Sequence, residues 1–183
     1  MSYKNLYKKK TNNLLDESKL YKSALNYLSK YSSSSENLRK ILINKATNHC
    51  YNNQNHIEII DNIITKLNHA NVLDDQLYSE NRALKLLKNG NPTIKIIKDL
   101  RHKGIDINLV NQTITFLKNT HADYDNIDLL AAYNYIKRKK IIKKNDKENI
   151  NKKNLAKMAR AGFDYETVKQ ALKVEDTFDE HLD

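Results

Sequence analysis

Glycine, proline, cysteine and tryptophan are almost missing from this chain of 183 residues, which has three Gly, one Pro, one Cys and no Trp. So few turn-forming residues disfavour an all-β fold with many tight turns. A single Cys cannot form an internal disulfide, so we expect a cytoplasmic protein in a reducing compartment. No apolar run is long enough to span a bilayer, and the charged N-terminus is not followed by the apolar segment of a signal peptide.

Positive charge is what the chain has in excess, with a formal net charge of +10. This favours an anionic partner such as nucleic acid, a nucleoprotein or an acidic protein face. The chain is also rich in Lys, Asn, Ile and Tyr, a bias that an AT-rich genome produces by itself. A Lys-rich face that is merely solvated therefore stays an alternative for any single basic residue.

A short phrase occurs twice, 58 residues apart, at 104–110 and 162–168. Each copy reads Gly, an apolar residue and Asp, with a Val four places after the Asp. Gly suits the left-handed residue that ends a helix, and Asp suits the N-cap of the next helix. The apolar residue between them can pack on the Val as a hydrophobic staple. The phrase predicts a repeated junction between helices, formed by Gly104, Ile105 and Asp106 in one copy and by Gly162, Phe163 and Asp164 in the other.

Apolar residues at helical spacing run through most of the chain and predict nine helices in three sets of three. Leu42, Leu100 and Met158 occupy equivalent positions at intervals of 58 residues. We therefore predict an all-α fold of three tandem three-helix repeats, which bury their apolar faces on one another. The predicted repeats are 16–72, with an insertion at 49–56, then 73–121 and 122–174. They lie between a flexible basic tail at 1–15 and an acidic, frayed tail at 175–183.

The step Leu73-Asp74-Asp75 is predicted to open the fourth helix. Paired carboxylates could indicate acid–base or metal chemistry, but adjacent residues on a helix point about 100° apart. Asp74 and Asp75 therefore do not converge on one ion. Capping of the helix N-terminus, where negative charge also favours the helix dipole, is the better interpretation.

Two further helix starts are predicted from cap residues. Ser33 and Glu36 have the spacing of a capping box at the second helix. Asn91 is the predicted N-cap of the fifth helix, with Pro92 as its first helical residue. The Tyr residues of the apolar stripes, Tyr31 among them, are expected in the core rather than as platforms for base stacking.

Four segments, 34–42, 72–78, 100–105 and 158–163, resemble the RecX family, the bacterial regulators of the RecA recombinase. The resemblance covers residues 18–173. The Leu-Asp-Asp step before a helix and the two Gly-apolar steps look like signatures of that family. The chain departs from the family pattern in the 49–56 insertion, in the missing Gly of the first repeat and in Lys where the family often has Arg.

The resemblance implies an elongated, curved helical array that binds in the groove of the RecA–single-stranded DNA filament. It implies restraint of filament growth, strand exchange and coprotease stimulation, and so a part in recombination and the SOS response. The implied protein is a monomer that carries no cofactor and performs no chemistry of its own.

The basic residues are the candidate contacts to RecA or DNA. Arg suits bidentate contacts to carboxylate or phosphate better than Lys does, which favours the four Arg residues. The candidates are Arg82, Lys95, Lys98, Arg101, Lys103, Lys137, Arg138, Lys139, Lys140, Lys152, Lys153, Lys157 and Arg160.

Other classes of function have weaker support in the sequence. His49, Cys50 and His56 supply three ligands where a structural zinc site needs four, so no metal site is predicted. No Ser-His-Asp order, nucleophile elbow or Gly-rich phosphate loop is present, and we expect no enzyme. A helix-turn-helix protein that binds duplex DNA without RecA stays an alternative, as does a helical scaffold for another acidic partner.

Overall fold

A computed structural model describes residues 17–49, 56–122, 126–141 and 147–179. These residues form nine α-helices and no strand, which confirms the predicted all-α class. In chain order they are α1 (Glu17–Leu28), α2 (Ser35–His49), α3 (His56–His69), α4 (Asp75–Lys88), α5 (Thr93–His102), α6 (Ile107–Thr120), α7 (Ile127–Lys139), α8 (Lys147–Arg160) and α9 (Tyr165–Asp179). None of these helices is both long and apolar enough to cross a membrane.

The chain divides into two compact units, Met1–Asp74 and Asp75–Asp183. The helices of the predicted repeats at 73–121 and 122–174 all lie in the second unit, where α7 packs against both α4 and α9. The grouping of the helices into three repeats stays a prediction. The predicted basic tail and all but the two ends of the predicted insertion lie outside the described residues, and α9 continues into the segment predicted as an acidic tail.

The first unit packs α1, α2 and α3 on one another around a single core. Its apolar side chains recur three or four residues apart along each helix, so they fall on one face of that helix. Fully buried members of this core are Leu20, Leu38, Ile60, Ile63 and Leu67. A bidentate ion pair between Arg39 and Asp61 joins α2 to α3 at the surface, with the shorter hydrogen bond at 2.6 Å.

The second unit has one core to which all six of its helices contribute, with α4 packed against α5, α6 and α7, and α9 packed against α7 and α8. Residues buried there include Ala83, Ile96, Leu100, Val110, Leu117, Ala131, Met158, Val168 and Ala171. The hydroxyls of Ser79 and Thr113 are also buried and hydrogen-bond to each other at 2.9 Å, which satisfies both polar groups where α4 meets α6.

The two copies of the repeated phrase form the same hydrogen-bonded helix end. Gly104 and Gly162 have φ angles of +79° and +95°, in the left-handed region. Each glycine N–H donates to the carbonyl three residues earlier at 2.9 Å. The N–H of the next residue donates to the carbonyl five residues earlier, at 3.1 Å from Ile105 and 3.2 Å from Phe163. This is the Schellman motif, in which orphan carbonyls at the end of a helix are satisfied.

The aspartates of the phrase cap the helices that follow. Asp106 accepts a hydrogen bond of 2.8 Å from the N–H of Asn108. Asp164 accepts one of 2.9 Å from the N–H of Thr167 and one of 2.6 Å from its hydroxyl. The apolar residue before each aspartate is buried in the core of the second unit together with the Val of the same phrase. Both junctions are thus held by polar and apolar contacts at once.

Three further helix ends have the same backbone form but not the same sequence. Asn71, Gly90 and Lys140 have φ angles of +53°, +69° and +47°. At each, the following N–H donates to the carbonyl five residues earlier, at 3.0 to 3.1 Å. Only one of these positions carries glycine, so the spacing of glycines in the sequence does not reveal this set.

The start of α5 differs from the prediction. Pro92 is the N-cap residue, with Thr93 first in the helix, and no side chain of the cap residue itself accepts a hydrogen bond there. The carboxylate of Asp128 on α7 accepts from both the N–H and the hydroxyl of Thr93, each at 2.6 Å. Asn91, predicted as the N-cap, instead donates to the carbonyl of Leu86 at 3.0 Å and caps the preceding helix.

The start of α2 is shifted by one residue from its predicted cap. The hydroxyl of Ser34, not that of Ser33, accepts from the N–H of Asn37 at 3.2 Å. Ser33 accepts from the side-chain amide of Asn37 at 2.8 Å and is itself buried. Consecutive serines allow the cap to form at either residue. In the structure Ser34 is the cap, and both Ser33 and Ser34 are buried. The fourth helix begins at Asp75, directly after Asp74, and Leu73 is buried in the core of the first unit.

Candidate functional site

All predicted basic contacts lie in the second unit, on or beside four of its helices. Arg82 lies on α4, and Lys95, Lys98 and Arg101 lie on α5, with Lys103 directly after α5. Lys137, Arg138 and Lys139 form the last turn of α7, which Lys140 follows; Lys152, Lys153, Lys157 and Arg160 lie on α8. All are exposed except Arg82 and Lys103, which are half-buried.

Arg82 forms an ion pair within the second unit. Its guanidinium makes a bidentate contact with Asp99 on α5, one hydrogen bond of which measures 2.9 Å. Hydrogen bonding to Asp99, aided by a favourable interaction with Tyr78, raises the pKa of Arg82 above its ordinary value. The pair joins α4 to α5, so the structure gives Arg82 a role in packing, and it neutralises an acid on the basic helix.

An open groove of about 680 Å³ runs along α5. We call it the α5 groove; it is lined by Leu86, Asn91, Lys95, Lys98, Asp99, Arg101 and His102. Lys95, Lys98 and Arg101 are cationic, and the one acid is the ion-paired Asp99. The groove therefore presents positive charge beside the apolar side chain of Leu86, which suits an anionic partner.

The turn between α8 and α9 lies beside the start of α5, near Lys95 of the α5 groove. Gly162 in that turn lies against the first residues of α5, where a methyl group on it would be 3.4 Å from side-chain atoms of Pro92 and Ile94. The same methyl would be 3.8 Å from Cε of Lys95. Arg160 precedes Gly162 by two residues, at the end of α8.

Two of the arginines use part of their hydrogen-bonding capacity locally. Nη1 of Arg101 donates to the carbonyl of Ile105 at 3.2 Å, and Nε of Arg160 donates to that of Ala156 at 3.1 Å. Both side chains are otherwise exposed. Each retains donors of its guanidinium for a partner, since a guanidinium carries five.

The basic run after α7 combines exposed charge with one residue in a structural position. Lys137, Arg138 and Lys139 are exposed in the last turn, where cations also favour the helix dipole. Lys140 has left-handed backbone and its N–H donates to the carbonyl of Lys137 at 3.2 Å. Lys140 therefore ends α7, a role that its place in a run of cations does not indicate.

Several surface residues were not found from the sequence. Asp99 and His102 of the α5 groove carry no motif, and only the packing of α4 on α5 brings them into it. Tyr165, a residue of the second copy of the repeated phrase, is 63% exposed as the first residue of α9. Tyr31 was expected in the first apolar stripe but is 58% exposed, with its ring 5.1 Å from that of Tyr27. Tyr31 is wrong as a core residue because it follows the end of α1 and no longer lies on the apolar face.

A metal centre has no support in the part of the chain that the structure describes, where no three His, Cys, Asp or Glu side chains are grouped to hold an ion. Cys50, one of the three residues considered as ligands, lies outside that part.

Comparison with known proteins gives two regulatory proteins as relatives. No protein-family model matches the chain. It is 24% identical over 161 residues to the regulatory protein RecX of Myxococcus xanthus (strain DK1622), which covers 84% of this chain and 83% of the relative. It is 29% identical over 126 residues to the regulatory protein RecX of Clostridioides difficile (strain 630). This match covers 67% of this chain and 56% of that relative.

Two solved structures share the fold. The crystal structure of RecX from Lactobacillus salivarius superposes with a TM-score of 0.62 at 19% identity, covering 88% of this chain and 97% of that one. A crystal structure of a regulatory protein RecX gives a TM-score of 0.58 at 19% identity. It covers 84% of this chain and 71% of that one. At this identity the similarity concerns the helical architecture.

Proposed function

The chain belongs to the RecX family, and from that premise we propose that it binds the filament of RecA on single-stranded DNA and restrains its activity. Its relatives are regulatory proteins. The proposed effects are inhibition of filament growth, ATP hydrolysis, strand exchange and coprotease stimulation, during recombination and the SOS response. The protein would act in the cytoplasm as a monomer, without a cofactor and without chemistry of its own.

The observation that supports this proposal best is the distribution of charge in the second unit. The α5 groove carries the three cationic side chains of Lys95, Lys98 and Arg101, and its acid is ion-paired with Arg82. A second basic surface, formed by Lys137, Arg138 and Lys139, ends α7. A nucleoprotein filament offers two kinds of anion, acidic protein side chains and DNA phosphates, and both would be attracted to these surfaces.

An ATPase assay tests the proposal directly. RecA from the same organism is assembled on single-stranded DNA, and ATP hydrolysis is followed as the protein is added up to stoichiometric excess. We expect hydrolysis to fall, and co-sedimentation with the filament to rise. No inhibition at stoichiometric excess would rule the proposal out.

Matched charge reversals identify the surface that binds. Lys95→Glu with Lys98→Glu removes positive charge from the α5 groove, and Lys137→Glu with Lys139→Glu removes it from the end of α7. The exposed pair Lys22 and Lys30 in the first unit provides a control with the same change in net charge. We expect the first two double variants to weaken filament binding far more than the control, while all keep their helical circular dichroism. Equal weakening in all three would mean that net charge, and no particular surface, accounts for binding.

The same assays separate the alternative function. Sequence-specific, salt-sensitive binding to duplex DNA without RecA, together with no effect on the filament, would favour a helix-turn-helix protein.

A further inference from the structure

The two copies of the repeated phrase carry different residues at the position just before their valine. The first copy has Leu109, which packs against the core of the second unit. The second copy has Thr167, which is 2% exposed and whose hydroxyl donates to the carboxylate of Asp164 at 2.6 Å. A hydroxyl that donates its one hydrogen keeps lone pairs that can accept. Thr167 therefore places a hydrogen-bond acceptor in a buried position where the first copy of the phrase is apolar.

The hydroxyl of Thr167 is joined to the N-cap residue of α7. Nδ2 of Asn126 donates to Oγ1 of Thr167 at 3.4 Å. Oδ1 of the same amide accepts from the N–H of Asp128 at 2.9 Å, which caps α7. Asn126 thus uses its acceptor within α7 and its donor on α9, so that one side chain connects the starts of the two helices.

The same hydrogen bonds continue to the start of α5. The carboxylate of Asp128 accepts from the N–H and from the hydroxyl of Thr93, each at 2.6 Å. A continuous series of hydrogen bonds therefore joins the first turns of α9, α7 and α5. We call its five residues the cap chain; in order they are Asp164, Thr167, Asn126, Asp128 and Thr93.

The cap chain connects helices whose main packing contacts are with different neighbours. The core contacts of α5 are with α4 and α6, and those of α9 are with α7 and α8. The turn that contains Gly162 also lies against Pro92 and Ile94 at the start of α5. That contact is apolar and involves no member of the cap chain, so substitutions of polar side chains can test the hydrogen bonds separately.

We propose that Asn126 and Thr167 are positioning residues that couple the starts of α5, α7 and α9, so that these three helix starts open and close together. The first N–H groups of a helix have no partner within the helix, so their protection depends on the side chains that cap them. Side chains that share one hydrogen-bond network influence one another beyond their direct contacts. The coupling goes beyond the regulatory function proposed above, because it is a property of the chain alone and requires no recombinase.

Amide hydrogen exchange of the full chain, followed by NMR, measures the opening of each helix start. The N–H groups of Thr93, Asp128 and Thr167 each donate to a member of the cap chain, one at each of the three helices. The reference is the N–H of Asn108, which donates to Asp106 in the equivalent cap of the first copy, outside the cap chain. The protection factor of an amide reports the free energy of the local opening that exposes it.

Thr167→Val removes the hydroxyl and keeps the branched side chain. We expect the protection factors of Thr93 and Asp128 to fall by about twofold or more relative to that of Asn108, the lower end of the coupling between residues of one network. Thr167→Ser keeps the hydroxyl and should keep the protection of the wild type. Asp106→Asn changes the equivalent cap of the first copy and should leave Thr93 unaffected.

Asn126→Ser tests the connection itself, because serine still caps α7 but lacks the amide that reaches Thr167. We expect it to lower the protection of Thr93 and Thr167 relative to Asn108, and it replaces Thr167→Val as the test if that variant does not fold. In the Asn126→Ser background, Thr167→Val should cause no further loss at Thr93. Unchanged protection of Thr93 in both single variants, or an equal fall at Thr93 and Asn108, would overturn the proposal.

Discussion

The carboxylate of Asp128, in the first turn of α7, holds the beginning of α5 through two hydrogen bonds of 2.6 Å to Thr93. Asp128 and Thr93 lie 35 positions apart in the sequence. The N-terminus of α5 presents the orphan N–H groups that every helix has, and a side chain of another helix satisfies one of them. The contact fixes α5, and with it the groove that α5 lines, relative to α7.

Asp128→Ala is expected to destabilise the protein by about 1–3 kcal/mol, since a hydrogen bond to a charged group contributes in this range and its removal leaves a half-buried donor unpaired. Urea unfolding followed by circular dichroism measures the change. Thr93→Val, which removes the hydroxyl and keeps the N–H, should cost about 1 kcal/mol. In the double variant the loss of unfolding free energy should be smaller than the sum of the losses in the two single variants. Strict additivity would mean that the two side chains are not coupled.

Gly90→Ala should be among the most disruptive single substitutions in the second unit. Its methyl group would lie 2.5 Å from Cα and 2.7 Å from Cβ of Tyr135, so the backbone of α7 would have to move. We expect a destabilisation of about 3 kcal/mol or more, from overpacking together with the left-handed φ. Gly162→Ala is the control: its methyl group would meet side-chain atoms of Ile94 and Pro92 at the ordinary contact distance of 3.4 Å, leaving about 1–2 kcal/mol from backbone strain. Equal destabilisation of the two variants in urea unfolding would contradict the role given to α7.

The stability of the α8–α9 junction should depend on acid through Asp164. Hydrogen bonds from the Thr167 hydroxyl and then from its N–H hold the pKa of Asp164 below its ordinary value. An unfolded Asp titrates near about 3.9, so the contribution of Asp164 is complete above that pH and is lost as the pH falls through the lower pKa of the folded state. Asp164→Asn can still cap the helix but cannot titrate.

The unfolding free energy of Asp164→Asn should therefore fall less steeply than that of the wild type between about pH 5 and pH 2. A urea series at each pH measures this difference, and Thr167→Val should show part of the same effect because it removes the hydroxyl donor. Parallel curves for wild type and Asp164→Asn would show that this carboxylate has the same pKa in both states.

Arg82 and Asp99 offer a test of electrostatics in the α5 groove. Arg82→Ala should cost about 1 kcal/mol of stability, as a half-exposed bidentate pair contributes at most roughly that much. It should also weaken binding of the filament, because Asp99 is left as an uncompensated negative charge in the groove. If Arg82 acts through Asp99, the double variant Arg82→Ala with Asp99→Asn should recover binding. A double variant as weak as the single one would instead make Arg82 a direct contact.

The sequence predicted most of what lies within one or two helical turns. The all-α class follows from apolar spacing, and the ends of α5 and α8 follow from Gly104 and Gly162, whose partners in the Schellman motif lie at most five residues away. The capping hydrogen bonds of Asp106 and Asp164 are equally local. The prediction was wrong at Asn91 and Pro92, where a side chain from α7 caps the helix, and one residue out at Ser33, where consecutive serines allow two registers.

The candidate site was harder to predict from the sequence than the helix ends were. The basic residues could be named, since charge is visible in composition, but their grouping could not. Whether Arg82 is available to a partner depends on Asp99, and whether Tyr165 is buried depends on which helix covers the first turn of α9. Neither answer follows from the spacing of the residues themselves.

The sequence by itself determined the helical class, the helix ends of the repeated phrase and the excess of positive charge, because each depends on residue type or on hydrogen bonds between near neighbours. The tertiary structure alone decided that Asp128 caps α5, that Gly90 makes room for α7, that Asp99 is neutralised in the groove and that Tyr165 is exposed. The physical reason is one of range: these contacts join helices distant in the chain, and only the packing of the core brings them together.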